Sequence, residues 1–178
     1  MNIILTGFMG TGKSAVGRKL AKRLGMEYLD TDELIEEREG SKIYHIFEKK
    51  GEPYFRKLEA AMVKEVSHLD RYVISTGGGV VLKDENIEAL RRNGFIICLT
   101  ANPEVILKRT EKTGDRPLLN EPDPGKRIKE LLRMRQAYYE KVDFSVDTSN
   151  LGMEEVIRKI EEVLRKKNES CSYRPGGT

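Results

Sequence analysis

The 178-residue chain predicts an α/β protein: a five-stranded parallel sheet with helices on both faces. Three observations carry that prediction. Short β-type runs alternate with longer helical patterns, as βαβ units require. Asn102-Pro103 and Asp123-Pro124 read as helix N-caps followed by proline at the first helical position. The first apolar run opens directly into a glycine-rich loop and then a helix, the place where open α/β sheets bind ligands.

The expected strands are Ile3 to Leu5, Tyr28 to Leu29, Tyr72 to Ser75, Phe95 to Leu99 and Phe144 to Val146, and Gly25, Gly40, Gly51 and Gly94 read as stops. Between the second and third strands the chain spends about forty residues on three helical patterns, well beyond the dozen or so that a crossover needs. An inserted subdomain over about residues 32–62 is therefore expected within a single domain covering 1–167. Residues 111–124, "EKTGDRPLLNEPDP", lack periodicity and read as a lid or a disordered loop. Beyond Lys167, "NESCSYRPGGT" has too little apolar content to pack, so 168–178 is expected to be a disordered tail.

Bulk composition excludes several classes. With 34% charged and 38% hydrophobic residues, no apolar run of membrane-spanning length and no basic-then-apolar leader, the protein is expected to be soluble and cytoplasmic, without a membrane partner. A net charge of +3 spread along the chain is too mild for a nucleic-acid partner. Cys98 and Cys171 have neither metal-site nor CxxC spacing. A monomer is expected.

The strongest chemical signal is "GFMGTGKS", Gly7 to Ser14, which satisfies G-x-x-x-x-G-K-[ST] in a strand-loop-helix setting. Backbone N–H groups of Gly10, Thr11, Gly12 and their neighbours through Ala15 turn toward an anion, helped by the positive end of the following helix. Lys13 is expected to reach the β- and γ-phosphates and the Ser14 hydroxyl to ligate Mg²⁺. There is no base-reading N-K-x-D, and the strand that would end in an acid for water activation ends instead in "YVISTGGG". Transfer to a bound acceptor is thus favoured over hydrolysis.

On the acceptor side, "LDTD" offers two carboxylates. Asp30, with Ser75 helping, suits a water-mediated hold on Mg²⁺. Asp32 either caps the helix "ELIEERE" or faces the site. Gly77, Gly78 and Gly79 form a run too costly for a simple turn and suggest close approach of a ligand to bare backbone. Helical phase puts Arg135 inside the apolar stripe of Ile128, Leu131, Leu132, Tyr138 and Tyr139, so its guanidinium needs an anion, either a protein carboxylate or a ligand. Arg56 flanks a second stripe, Phe55, Leu58, Met62 and Val66. Two arginines beside a glycine run suggest a carboxylate on the acceptor, matched by the planar guanidinium fork. Arg116 is either a solvated loop arginine or one that folds over a γ-phosphate and neutralises charge during transfer, and Arg109 either stacks on an adenine or ends a solvated helix.

Taken together, "GFMGTGKS", "LDTDELIE", "GEPYFRKLE", "ISTGGGVV", "RPLL" and "RMRQAYY" resemble the shikimate kinase family in order and spacing, up to about Asp147-Thr148. The resemblance implies a P-loop, nucleoside-monophosphate-kinase-like three-layer sandwich with strand order 2-3-1-4-5. It also implies ATP- and Mg²⁺-dependent phosphorylation of the 3-hydroxyl of shikimate, a step toward the aromatic amino acids. By matching position, Lys13 and Ser14 serve the phosphates and Mg²⁺, Asp30 lies near the metal, and Asp32 contacts the acceptor hydroxyls and acts as the base. Arg56, Gly78 and Arg135 bind shikimate, and Arg116 closes over the site. Two departures are Asp143, where members often carry alanine, and the loop "TSNLG", which lacks an arginine that some carry.

Overall fold

The computed structural model describes residues 1–111 and 122–172. Five strands, β1 (Asn2–Thr6), β2 (Glu27–Asp30), β3 (Tyr72–Ser75), β4 (Gly94–Thr100) and β5 (Phe144–Asp147), form one sheet in the order β2-β3-β1-β4-β5. All four pairings are parallel, so the expected order 2-3-1-4-5 holds. Every expected strand is present, and four of the five run one or two residues longer than the apolar runs, because backbone pairing continues past the hydrophobic side chains.

Alternation along the strands divides the core in two. Ile4, Ile74 and Ile96 face the layer holding α3 (Ile43–Val66), α4 (Asp84–Arg91) and α6 (Pro124–Tyr139). Ile3, Leu5, Val73, Ile97 and Leu99 face α1 (Lys13–Leu24) and α7 (Met153–Ser172). β1 is buried along its whole length, as a central parallel strand must be when helices cover both faces. Each such aliphatic side chain contributes roughly 1.5–3 kcal/mol of burial, so the sheet's centre is the rigid platform on which the loops sit.

Local signals explain the helix boundaries. Gly25 and Gly40 close α1 and α2 (Thr31–Glu39) in left-handed conformations. The Asp123 side chain accepts from the Lys126 amide at the start of α6, and Pro103 opens α5 (Pro103–Thr110) behind Asn102. At Gly51 (φ 79°, ψ 168°) α3 breaks and restarts beside Pro53, which yields the three helical pieces expected between β2 and β3.

Two expectations change. Gly94 is no helix stop: α4 ends at Arg91, and Gly94 opens β4, where an added Cβ would meet the Leu90 carbonyl oxygen at 2.5 Å. The final helix reaches Ser172, so residues 168–172 are helical rather than a tail, the periodic run before them carrying the backbone onward. Most of the expected loop at 111–124, including Arg116, and residues 173–178 lie outside the described residues. Among the described residues no helix is long and apolar enough to cross a membrane.

Candidate active site

At the carboxyl ends of β1, β2 and β3 opens a cavity of about 600 Å³. Its walls come from two sources. The loop Gly7–Gly12 supplies one side, and side chains from α2, α3 and α6 supply the other.

The loop side is made of backbone. Gly7, Gly10 and Gly12 all have positive φ, a geometry that turns successive N–H groups to one side. Gly12 caps α1, so the helix points its N-terminus at the loop. Thr11 Oγ1 donates to the Phe8 carbonyl at 2.8 Å, and Lys13 Nζ reaches the same carbonyl at 3.1 Å, arching over the loop. Gly10, Gly12, Lys13, Ser14 and Ala15 all line the cavity.

Asp30 links this side to the next. Its Oδ1 accepts from the Asp32 amide at 3.0 Å, so Asp30, and not Asp32, caps α2. Helix formation begins two residues earlier than the sequence pattern suggests, because a carboxylate two residues before that amide can reach it. Asp30 Oδ2 accepts from Ser14 Oγ at 2.8 Å and from Tyr28 Oη at 3.2 Å. Burial, together with the Asp30 charge, pushes the Tyr28 hydroxyl up to about 12, which keeps it a donor. Ser75 pairs in register with Asp30 across β2 and β3. A hydroxyl and one carboxylate side by side at the cavity edge could hold a Mg²⁺ ion that keeps most of its ligands as water and phosphate oxygens. No cluster of three or more acidic, His or Cys side chains that would cage a metal occurs among the described residues.

On the acceptor side, Asp32 lines the cavity from the first turn of α2, released from any capping duty. Arg56 is held by both neighbours on its own helix, Glu52 at 2.8 Å and Glu59 at 2.8 Å. Burial works against its charge, but the two carboxylates outweigh burial and hold the guanidinium above its ordinary value. Glu59 is 1% exposed, and desolvation raises its carboxyl despite Arg56. The glycine run explains how these groups fit. A Cβ at Gly77 would stand 2.7 Å from Asp32 Oδ1 and 2.9 Å from Glu59 Oε1, one at Gly78 would stand 3.0 Å from the Gly7 carbonyl, and one at Gly79 would fall inside the Arg56 guanidinium. Here the chain's own groups crowd the run and account for its glycines. Tyr139 Oη fixes the run by donating to the Gly78 carbonyl at 2.9 Å.

Arg135 is 5% exposed and turned inward, as helical phase predicts. Its guanidinium lies over the Phe8 ring, 5.6 Å from the centroid, and beside the Tyr139 hydroxyl. It forms no ion pair with a carboxylate among the described residues, although its charge acts on the buried Glu59 carboxyl and works to lower it. Arg109, exposed in the last turn of α5, donates to the Gly10 carbonyl at 3.3 Å and to Thr148 at two atoms, and it lines the cavity.

Sequence reasoning did not single out Glu59, Tyr28 or Tyr139. Glu59 was within reach, since it follows Arg56 by three residues on one helix face. Asp143, one of the two departures from the family pattern, accepts from the Ile96 amide at 2.8 Å and pairs with Arg91, binding the start of β5 to β4.

A parallel sheet with a phosphate-binding loop after its central strand, facing a pocket of inward guanidinium and carboxylate groups, defines a P-loop phosphotransferase that uses ATP and an alcohol acceptor. Known proteins narrow the class. The shikimate kinase family model matches residues 9–165, and the chain belongs to that family. The shikimate kinase of Caldanaerobacter subterraneus subsp. tengcongensis is 54% identical over 164 residues, covering 92% of this chain and 94% of its own. That of Thermodesulfovibrio yellowstonii is 51% identical over 159 residues, covering 89% and 92%. The shikimate kinase from Acinetobacter baumannii, solved in complex with shikimate, superposes with a TM-score of 0.89 at 35% identity over 93% of each chain.

Proposed function

We propose that this chain, acting as a cytoplasmic monomer, transfers the γ-phosphoryl group of ATP to the 3-hydroxyl of shikimate, yielding shikimate 3-phosphate and ADP. The observation that carries the reading is Arg135: a buried guanidinium that lines the cavity over Phe8 and makes no ion pair with a carboxylate among the described residues, Glu59 acting on it through charge alone. A buried cation of that kind needs an anion, and the carboxylate of shikimate meets the planar fork in two parallel hydrogen bonds. Arg56 adds a second positive group on the same wall, held in place by Glu59 and Glu52.

In the transfer, the acceptor oxygen forms a bond to the γ-phosphorus while the bridging bond to the β-phosphate breaks, the two oxygens lying roughly in line. Asp32 receives the hydroxyl proton at its carboxylate, on the cavity wall next to Gly77. Lys13 and the loop amides hold the β- and γ-phosphates. Ser14 and Asp30 are the residues that would hold Mg²⁺, which supplies charge neutralisation at the phosphate oxygens. Arg116, assigned from its sequence position, adds positive charge at the transferring group.

Shikimate-dependent formation of ADP by the purified protein, with Mg²⁺ and ATP, is the test. ADP should appear with shikimate and not with gluconate or nucleoside monophosphates. Turnover of one of those acceptors with shikimate inert overturns the proposal.

A further inference from the structure

Thr148 follows β5 directly and is 3% exposed, yet it does not line the cavity. Its hydroxyl stands 3.1 Å from the Thr11 carbonyl, 3.0 Å from the Thr100 carbonyl and 3.0 Å from Arg109 Nη1. Since the Thr100 carbonyl already accepts the Thr148 amide at 2.8 Å, the single hydroxyl proton matters most to Thr11, inside the phosphate loop. The hydroxyl oxygen receives Arg109 Nη1, and the Thr148 carbonyl receives Nη2 at 2.9 Å. Arg109 in turn reaches the Gly10 carbonyl. One buried threonine therefore ties together the phosphate loop, the end of β4 and the guanidinium on the loop side of the cavity.

We propose that Thr148 is a positioning residue for the nucleotide: it sets the phosphate loop through the Thr11 carbonyl and aims Arg109 through both of its own oxygens. The inference rests on the ATP half of the proposed function and is independent of which alcohol accepts the phosphoryl group. Valine keeps the shape of threonine and removes the hydroxyl; serine keeps the hydroxyl.

The experiment compares the full chain with Thr148→Val and Thr148→Ser, reading ATP and ADP binding by calorimetry in Mg²⁺ and the KM of each substrate. Thr148→Val should weaken nucleotide binding and raise the KM for ATP about tenfold, the usual worth of one or two buried hydrogen bonds, with the KM for shikimate within about twofold. Thr148→Ser should stay within about twofold of the parent for both. If the valine protein does not fold, Thr148→Ala is used and the same result is expected. Unchanged nucleotide affinity in the variant, equal rises in both KM values, or a serine variant as weak as valine overturns the inference. Failure of the parent to use shikimate, with nucleotide binding still lost in Thr148→Val, would strike only the acceptor assignment.

Discussion

The two walls of the cavity are built by different means. The phosphate loop is a stretch of consecutive residues whose backbone makes the site, clamped against the ends of the central strands. The acceptor wall is assembled from single side chains on three helices far apart in sequence: Asp32 on α2, Arg56 and Glu59 on α3, Arg135 on α6. Damage to the first wall should therefore appear as lost structure, and damage to the second as lost recognition with structure intact.

The sharpest way to break that contrast is Gly7→Ala. Gly7 has φ 132°, and an added Cβ would fall inside the Leu99 carbonyl oxygen, which belongs to a buried strand and cannot yield. The variant should lose roughly 3 kcal/mol or more of stability and all activity, read by chemical unfolding. Near-parental unfolding would show that the loop is more compliant than the wall behind it.

Asp32→Asn comes next. Because Asp30 caps α2, this change should leave thermal unfolding within a few degrees of the parent while lowering kcat about 100-fold or more. A nearly parental kcat would remove Asp32 from the proton's path. Arg135→Lys should raise the KM for shikimate by about tenfold, since an ammonium cannot reproduce the bidentate fork, with the KM for ATP little changed. Equal effects on both substrates would place Arg135 on the wrong wall.

Gly79→Ala gives the smallest expected effect. Here the added Cβ meets the end of a flexible side chain, 2.6 Å from Arg56 Nη2, and the guanidinium can move aside. Stability should change by no more than about 1 kcal/mol, while the KM for shikimate rises a few-fold as Arg56 leaves its place. The pair Gly7→Ala and Gly79→Ala applies one chemical change to both walls, and similar stability losses would erase the distinction between them.

The same difference governs what could be read from the sequence. The phosphate loop was legible because its residues are contiguous and their types follow from backbone geometry. Strands were legible from apolar runs, although their ends were not, since pairing outlasts hydrophobicity at Asn2, Glu27 and Asp147. Arg135 could be found by helical phase alone. The cap of α2 could not: Asp30 and Asp32 are both good capping residues, and only the three-dimensional reach of Asp30 Oδ1 to the Asp32 amide decides between them. Tyr139 and Thr148 act through contacts 61 and 137 residues apart, which no local pattern encodes.

The break at Gly51 divides the acceptor wall into a greasy half and a charged half. Ile43, Tyr44 and Phe47 precede it, and Arg56 and Glu59 follow it, all facing the same cavity. Phe47 and Phe55 meet across the break with ring centroids 4.8 Å apart, and the Arg56 guanidinium lies over Phe55, so one aromatic contact couples the halves. Enlarging the chamber at Ile43 or Tyr44 would leave that contact in place, whereas a change at Phe47 would be felt at Arg56.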